Sequence, residues 1–162
     1  MNSFNRSFKR IGDILENFIK YIEISLFLIS LISISFEVFM RYVLNSPTSW
    51  SEELARFTMV WLTMLGLGVA VRWKEHIRVD NVVDIFPEKM QHIAAWLRFG
   101  FVLIFSLVLV IEGIRLIMLN LNQITPGLNI PMGVVYLSVP IGAGLIIFYL
   151  VEQYARGDRE TF

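Results

Sequence analysis

The chain has 162 residues, 56% of them hydrophobic, with 14 basic and 14 acidic side chains that cancel and a mean hydropathy of +0.62. Soluble domains carry a smaller apolar share, about 45–50%, so the solvent this composition implies is lipid. Zero net charge argues against a nucleic-acid partner, which requires a clustered basic face. The absence of cysteine removes disulfides and thiolate chemistry, and two histidines, His76 and His92, are too few for a histidine-rich metal centre.

Residues 3–18 come first. Phe4, Phe8, Ile11, Leu15 and Phe18 recur every three or four positions, with Arg6, Lys9, Arg10, Asp13 and Glu16 between them. That periodicity predicts an amphipathic helix lying in the headgroup layer before the chain turns inward. A cleavable signal peptide fits poorly, because acids interrupt the basic region and no small-residue cleavage site follows. Four apolar stretches follow at 19–43, 51–73, 93–119 and 132–151, each close to the ~20 residues a helix needs to cross a bilayer. Their apolar runs are continuous and not alternating, which favours helices over barrel strands. The expected fold is therefore an all-α integral membrane protein with four transmembrane helices and an N-terminal interfacial helix.

The breaks carry turn chemistry: Asn45-Ser46-Pro47-Thr48 between the first two spans, Pro126-Gly127 and Pro131 between the last two. Ser51 followed by Glu52 and Glu53 resembles a capped helix start. Pro140 is expected to kink the fourth span. The connection 77–92 is read as interfacial. Gly66, Gly68, Gly142 and Gly144 are expected to let helices approach closely. Trp50, Trp73 and Trp96 are placed as headgroup anchors, and Trp61 is placed deeper, against a neighbouring helix.

Orientation follows from the basic residues. Arg6, Lys9, Arg10 and Lys20 precede or open the first span, Arg72, Lys74, Arg78 and Lys89 join the second to the third, and Arg156 and Arg159 lie in the tail. Neither short loop contains Lys or Arg. The positive-inside rule then puts both termini in the cytoplasm.

Ionisable groups at membrane depth cost about 2.5–3.5 kcal/mol each on insertion scales, so each calls for a partner. Glu37 and Arg41, Glu52 and Arg56, and Glu112 and Arg115 sit at i,i+4 or i,i+3 spacing, all toward the outer face. Two readings stand: self-satisfied ion pairs at the interface, or a network that fastens this chain to another membrane protein. The span centres are read as uncharged, which disfavours an ion pathway. No phosphate loop, Ser-His-Asp set or paired-carboxylate site is present, so the chain is not expected to be an enzyme or to need a cofactor.

One region is more specific. Phe36 and Arg41-Tyr42 close the first span, Trp50-Ser51-Glu52-Glu53-Leu54-Ala55-Arg56 open the second, and Trp61 and Gly66 lie within it. Glu75-His76-Ile77-Arg78-Val79-Asp80 follow. This resembles the signature of the small membrane subunit of tripartite ATP-independent periplasmic (TRAP) transporters. The resemblance implies residence in the bacterial inner membrane beside a large multi-span permease subunit that holds the substrate and sodium sites. A periplasmic substrate-binding protein would supply an organic acid of the dicarboxylate, keto acid or sialic acid type, and lipid would complete the surroundings. The small subunit would brace the scaffold and bind no substrate. Trp50, Glu52, Glu53, Arg56, Glu37, Arg41, Trp61 and Gly66 are the expected partner interface, with His76, Arg78 and Asp80 as a cytoplasmic motif. The competing identities are the small subunit of a tripartite tricarboxylate-type transporter and a four-helix homodimeric exporter.

Overall fold

The computed structural model describes residues 3–73 and 88–156. His76, Arg78, Asp80 and most of the 77–92 connection lie outside those residues. Five helices follow in order: α1 (Ser3–Tyr42), α2 (Ser49–Trp73), α3 (Glu88–Asn120), α4 (Met132–Tyr136) and α5 (Ser138–Arg156). Four stretches are long and apolar enough to cross a membrane, Lys9–Tyr42, Ser49–Trp73, Trp96–Asn120 and Met132–Tyr154, so the all-α, four-span architecture holds.

The first element differs from expectation. Residues 3–18 and 19–43 are not separate segments; one uninterrupted helix of 40 residues runs from Ser3 to Tyr42. No proline interrupts it, and its packing stripe crosses residue 18 without a change of phase. Gly12, Ile19, Ser30, Ser33 and Glu37 are buried, and Leu15, Ile22 and Leu26 are half-buried. Those spacings of three and four form one seam along a single helical face. Of the apolar residues expected to define a separate amphipathic face, Ile11 and Phe18 point outward.

The helices stand in a row. α2 packs between α1 and α5, and α5 packs in turn against α3, so α1 and α3 form the two edges. The seam between α1 and α2 is built on Ile19, Leu65 and Val69, with Trp61 and Leu145 packed against them. Small residues set the α2–α5 distance. A Cβ at Gly142 would lie 2.5 Å from the Met64 carbonyl oxygen, and one at Gly68 would lie 2.8 Å from Leu145 Cβ. Gly66 instead faces Glu23 of α1, and Gly144 has nothing within 4 Å. α3 is the barest: 11% of its apolar window is buried, against 39% in the fourth span. Trp96, Phe101, Ile104 and Ile111 are among its exposed residues.

Pro140 acts three residues earlier than its own position. It supplies no N–H to the carbonyl of Tyr136, and its ring crowds that same group. The fourth span accordingly breaks between Tyr136 and Ser138, with Leu137 outside both helices. Helix α2 begins at Ser49, which places Ser51 inside the first turn and not at the cap.

The tight α2–α5 contact sets up a comparison of two glycines. Gly142→Ala forces the backbones apart and should cost about 1–3 kcal/mol, whereas Gly144→Ala should leave stability unchanged or slightly raised. Thermal unfolding of the detergent-solubilised variants measures both.

Candidate functional site

Two polar clusters occupy opposite ends of the row. The end carrying the 43–48 and 121–131 connections is the loop end; the other holds the start of α1 and the ends of α2 and α5.

At the loop end, α1 stops where Asn45 takes a left-handed conformation (φ 50°) and the Ser46 N–H donates to the Met40 carbonyl at 3.0 Å. Asparagine tolerates that conformation better than most residues. The turn brings the start of α2 onto Glu37. One Glu37 oxygen accepts from the Thr48 N–H at 3.1 Å, the Thr48 hydroxyl at 2.7 Å and the Ser51 hydroxyl at 2.7 Å. The other accepts from Arg41 Nη2 at 2.8 Å. A carboxylate from α1 thus serves the positive dipole end of α2. Phe36 and Trp50 stack across the same junction, ring centroids 5.5 Å apart.

The neighbouring acids diverge. Glu53 accepts from two consecutive backbone N–H groups of the second loop, Gly127 at 3.0 Å and Leu128 at 2.9 Å. Paired amides of this kind make a concave anion seat. Residue 127 has to be small: a Cβ there would lie 2.9 Å from Glu53 Cδ. That loop is itself pinned by buried Thr125, whose N–H donates to the Ile130 carbonyl at 3.0 Å. Glu52 points outward instead, 2.8 Å from Arg56 and 3.7 Å from Arg41. The Glu112–Arg115 pair on α3 is a separate exposed pair at 3.6 Å.

The opposite end is more deeply buried. Arg72 of α2, 6% exposed, meets Asp13 at 2.6 Å, Glu16, and Glu152 of α5 at 3.2 Å. Its guanidinium carbon lies 5.5 Å from the Tyr149 ring centre, a cation–π contact. Glu16 also accepts from the Trp73 indole at 2.8 Å and pairs with Lys20 at 2.6 Å. Gln153 reaches the Val71 carbonyl at 2.8 Å. Gly12 makes room for this: a Cβ there would lie 2.5 Å from Glu152 Oε2. Three helices are therefore tied through one cation. Glu23 lies about 10 Å further along α1 at 1.5 Å per residue, with its Oε1 buried and no hydrogen-bond partner.

Of the expected interface residues, Glu37 and Glu53 face into the chain, Trp61 packs in the α1–α2 seam, and Gly66 faces Glu23. Trp50, Arg41, Glu52 and Arg56 remain outward. Local spacing pointed to none of the Arg72 cluster, because its partners lie 56, 59 and 80 positions away in sequence. The available signal was charge at matched depth: Arg72, Glu16 and Glu152 all fall at the same end of their spans. Among the described residues no group of His, Cys, Asp and Glu is arranged to hold a metal ion.

A row of four spans with internal charge clamps and exposed polar groups at the loop end defines a small multi-pass membrane protein. The chain belongs to the family described as tripartite ATP-independent periplasmic transporters, DctQ component, which matches residues 30–160. That membership places it among inner-membrane transporter subunits, not enzymes, and decides against the tricarboxylate-type and exporter alternatives. A putative TRAP transporter small permease protein of Haemophilus influenzae is 24% identical over 155 residues, covering 93% of this chain and 94% of the relative. The isethionate TRAP transporter permease protein DctMQ of Oleidesulfovibrio alaskensis is 29% identical over 130 residues, covering 75% of this chain. The sialic acid TRAP transporter permease protein SiaT of Haemophilus influenzae is 44% identical over 55 residues, 34% of this chain. The chain spans 20% of the length of DctMQ and 9% of that of SiaT in these matches.

Arg72→Met should take this cation from buried Glu152 and leave Glu16 with Lys20 alone. The expected loss is about 3–5 kcal/mol, read as a lower unfolding temperature together with faster proteolysis of the start of α1.

Proposed function

We propose that this chain is the small membrane subunit of a sodium-coupled TRAP transporter for an organic acid of the dicarboxylate, keto acid or sialic acid type. It braces the scaffold of a large permease subunit and binds no substrate. A periplasmic binding protein delivers the solute to the large subunit. Both termini are cytoplasmic, so the loop end faces the periplasm, as the basic residues argue.

The observation that carries the reading is how the polar groups are divided. Nearly all the buried charges at both ends are engaged within the chain, which suits a rigid brace. Two exposed sets remain at the loop end among the described residues, Arg41, Glu52 and Arg56 on α1 and α2, and Glu112 with Arg115 on α3. A solute path would call for polar groups converging near the midplane; the acidic and basic groups described collect at the two margins except Glu23, a lone carboxyl group inside the α1–α2 seam. The lengths of DctMQ and SiaT support a partner of much larger size joined to this kind of unit. α3, apolar and scarcely buried, is suited to face lipid or that partner.

Arg56→Ala should weaken recovery of the large subunit with the small one and reduce uptake in reconstituted vesicles, while the small subunit alone keeps its unfolding temperature. Unchanged co-purification and uptake would remove Arg56 from the interface. Deleting residues 2–16 removes Asp13 and Glu16 from Arg72, so uptake should fall and the remaining chain should unfold at a lower temperature. Full uptake by the shortened chain would show that the amphipathic start has no part in bracing.

A further inference from the structure

Along α1 a polar residue recurs every seven positions, Glu16, Glu23, Ser30 and Glu37, and two turns of helix return each to nearly the same face. That face lies along α2, so the four residues form rungs across the α1–α2 seam. Three rungs are satisfied. Glu16 accepts from the Trp73 indole at 2.8 Å and pairs with Arg72 and Lys20. The Ser30 hydroxyl donates to the Ala55 carbonyl at 3.4 Å, and Glu37 accepts from Thr48, Ser51 and Arg41.

The Glu23 rung meets a glycine. Its Oε1 is buried without a hydrogen-bond partner, and a Cβ at Gly66 would lie 3.3 Å from it. Gly66 has no side chain to offer, and its N–H belongs to the ladder of α2 itself. The seam around this rung is built from Ile19, Ile22, Leu65 and Val69. Ionisable groups on the elements packed there are committed elsewhere. On α1, Lys20 turns back to Glu16 at 2.6 Å and lies over the Trp73 ring, 4.7 Å from its centre. On α2, Arg72 is held by Asp13, Glu16 and Glu152. On α5, the buried Tyr149 hydroxyl is within electrostatic reach of Glu23 and has no hydrogen-bond partner among the described residues. A phenol supplies no positive charge.

We propose that Glu23 is a proton-binding site, holding its proton at neutral pH and standing in the seam as a neutral carboxylic acid. A carboxylate that finds no counter-charge away from water takes up a proton instead of remaining ionised. The rungs on either side are about 10 Å away at 1.5 Å per residue, well beyond the roughly 3 Å of a direct transfer. The site therefore stores a proton and does not relay one. When the proton leaves as pH rises, an uncompensated charge appears opposite Gly66. The α1–α2 contact is then strong on the acidic side of that release and weakened on the alkaline side. The inference stands independently of any partner subunit.

The test uses the full chain in phosphatidylcholine vesicles. The infrared difference between wild type and Glu23→Gln at neutral pH should contain the carbonyl stretch of a protonated carboxyl and lack the paired stretches of a carboxylate. Glutamine copies the neutral acid in shape, so the variant should keep the wild-type unfolding temperature at neutral pH. Toward about pH 9, where buried carboxyls release their proton, the wild type should become less stable than the variant. Dicyclohexylcarbodiimide gives a reading that needs no variant. Dissolved in the bilayer, it takes the carboxyl proton on one nitrogen while the carboxyl oxygen bonds to its central carbon. The adduct rearranges to a stable N-acylurea, and nothing is released. Mass spectrometry of the treated wild type at neutral pH should find this adduct on Glu23 and not on Glu37. Carboxylate stretches in the neutral difference spectrum overturn the inference, and so does an unfolding temperature that falls equally in both chains toward alkaline pH. Should the variant not fold, a wild-type Glu23 left unmodified at neutral pH overturns it.

Discussion

A charge placed in hydrocarbon has to find its counter-charge inside the protein, because no solvent will supply one. That constraint explains the organisation of this chain. Arg72 is buried between three helices and is held by Asp13, Glu16 and Glu152. Each of those contacts ties one end of a helix to the next. At the far end Glu37 and Glu53 play the corresponding part, one drawing α2 onto α1 and the other drawing the second loop onto α2. From Glu16 to Glu37 is about 31 Å of helix rise, close to the thickness of a hydrocarbon core. The two clusters thus mark the two margins, and the seam of small and apolar residues needs only to fill the distance between them.

The adjacent acids of the second span show how one short motif can do two things. Consecutive helical residues diverge by about 100° around the axis, so Glu52 and Glu53 cannot share a target. Glu53 turns toward Gly127 and Leu128 and makes the loop part of the body of the protein. Glu52 turns outward between two arginines. Internal cohesion and outward presentation are therefore separate tasks within Trp50–Arg56, and loss of either acid would be felt through a different contact.

Much of the architecture was legible in sequence. Four apolar lengths implied four spans, and Asn45 and Pro126-Gly127 marked the turns between them. Trp61 was correctly placed against a neighbouring helix. The separation of residues 3–18 from the first span was not borne out as a break, because periodicity reports which face is apolar and not whether the helix continues. The stripe Gly12, Leu15, Ile19, Ile22, Leu26 carries straight through that border. Asp13 and Glu16 looked like members of a solvated face. Their partner, Arg72, is 56 residues or more away, and such pairing depends on which helices become neighbours. The same reason hid the inward turn of Glu37 and Glu53: spacing paired Glu37 with Arg41, but only the folded loop brings Thr48 and Ser51 onto it. Glu23 is part of the first span and buries Oε1 against Gly66 of α2 without a hydrogen-bond partner.

The length of α1 has a mechanical meaning. Forty residues make a rod of about 60 Å, roughly twice the depth of the hydrocarbon. Fitting all of it within that depth would demand a tilt near 60°, well past the 0–40° seen for membrane helices. A stretch of the rod must therefore stand clear of the acyl chains, and the Arg72 clamp grips it where it emerges. At that point and again at Glu37 the helix is joined to α2, so its two ends are fixed to the same neighbour at opposite margins.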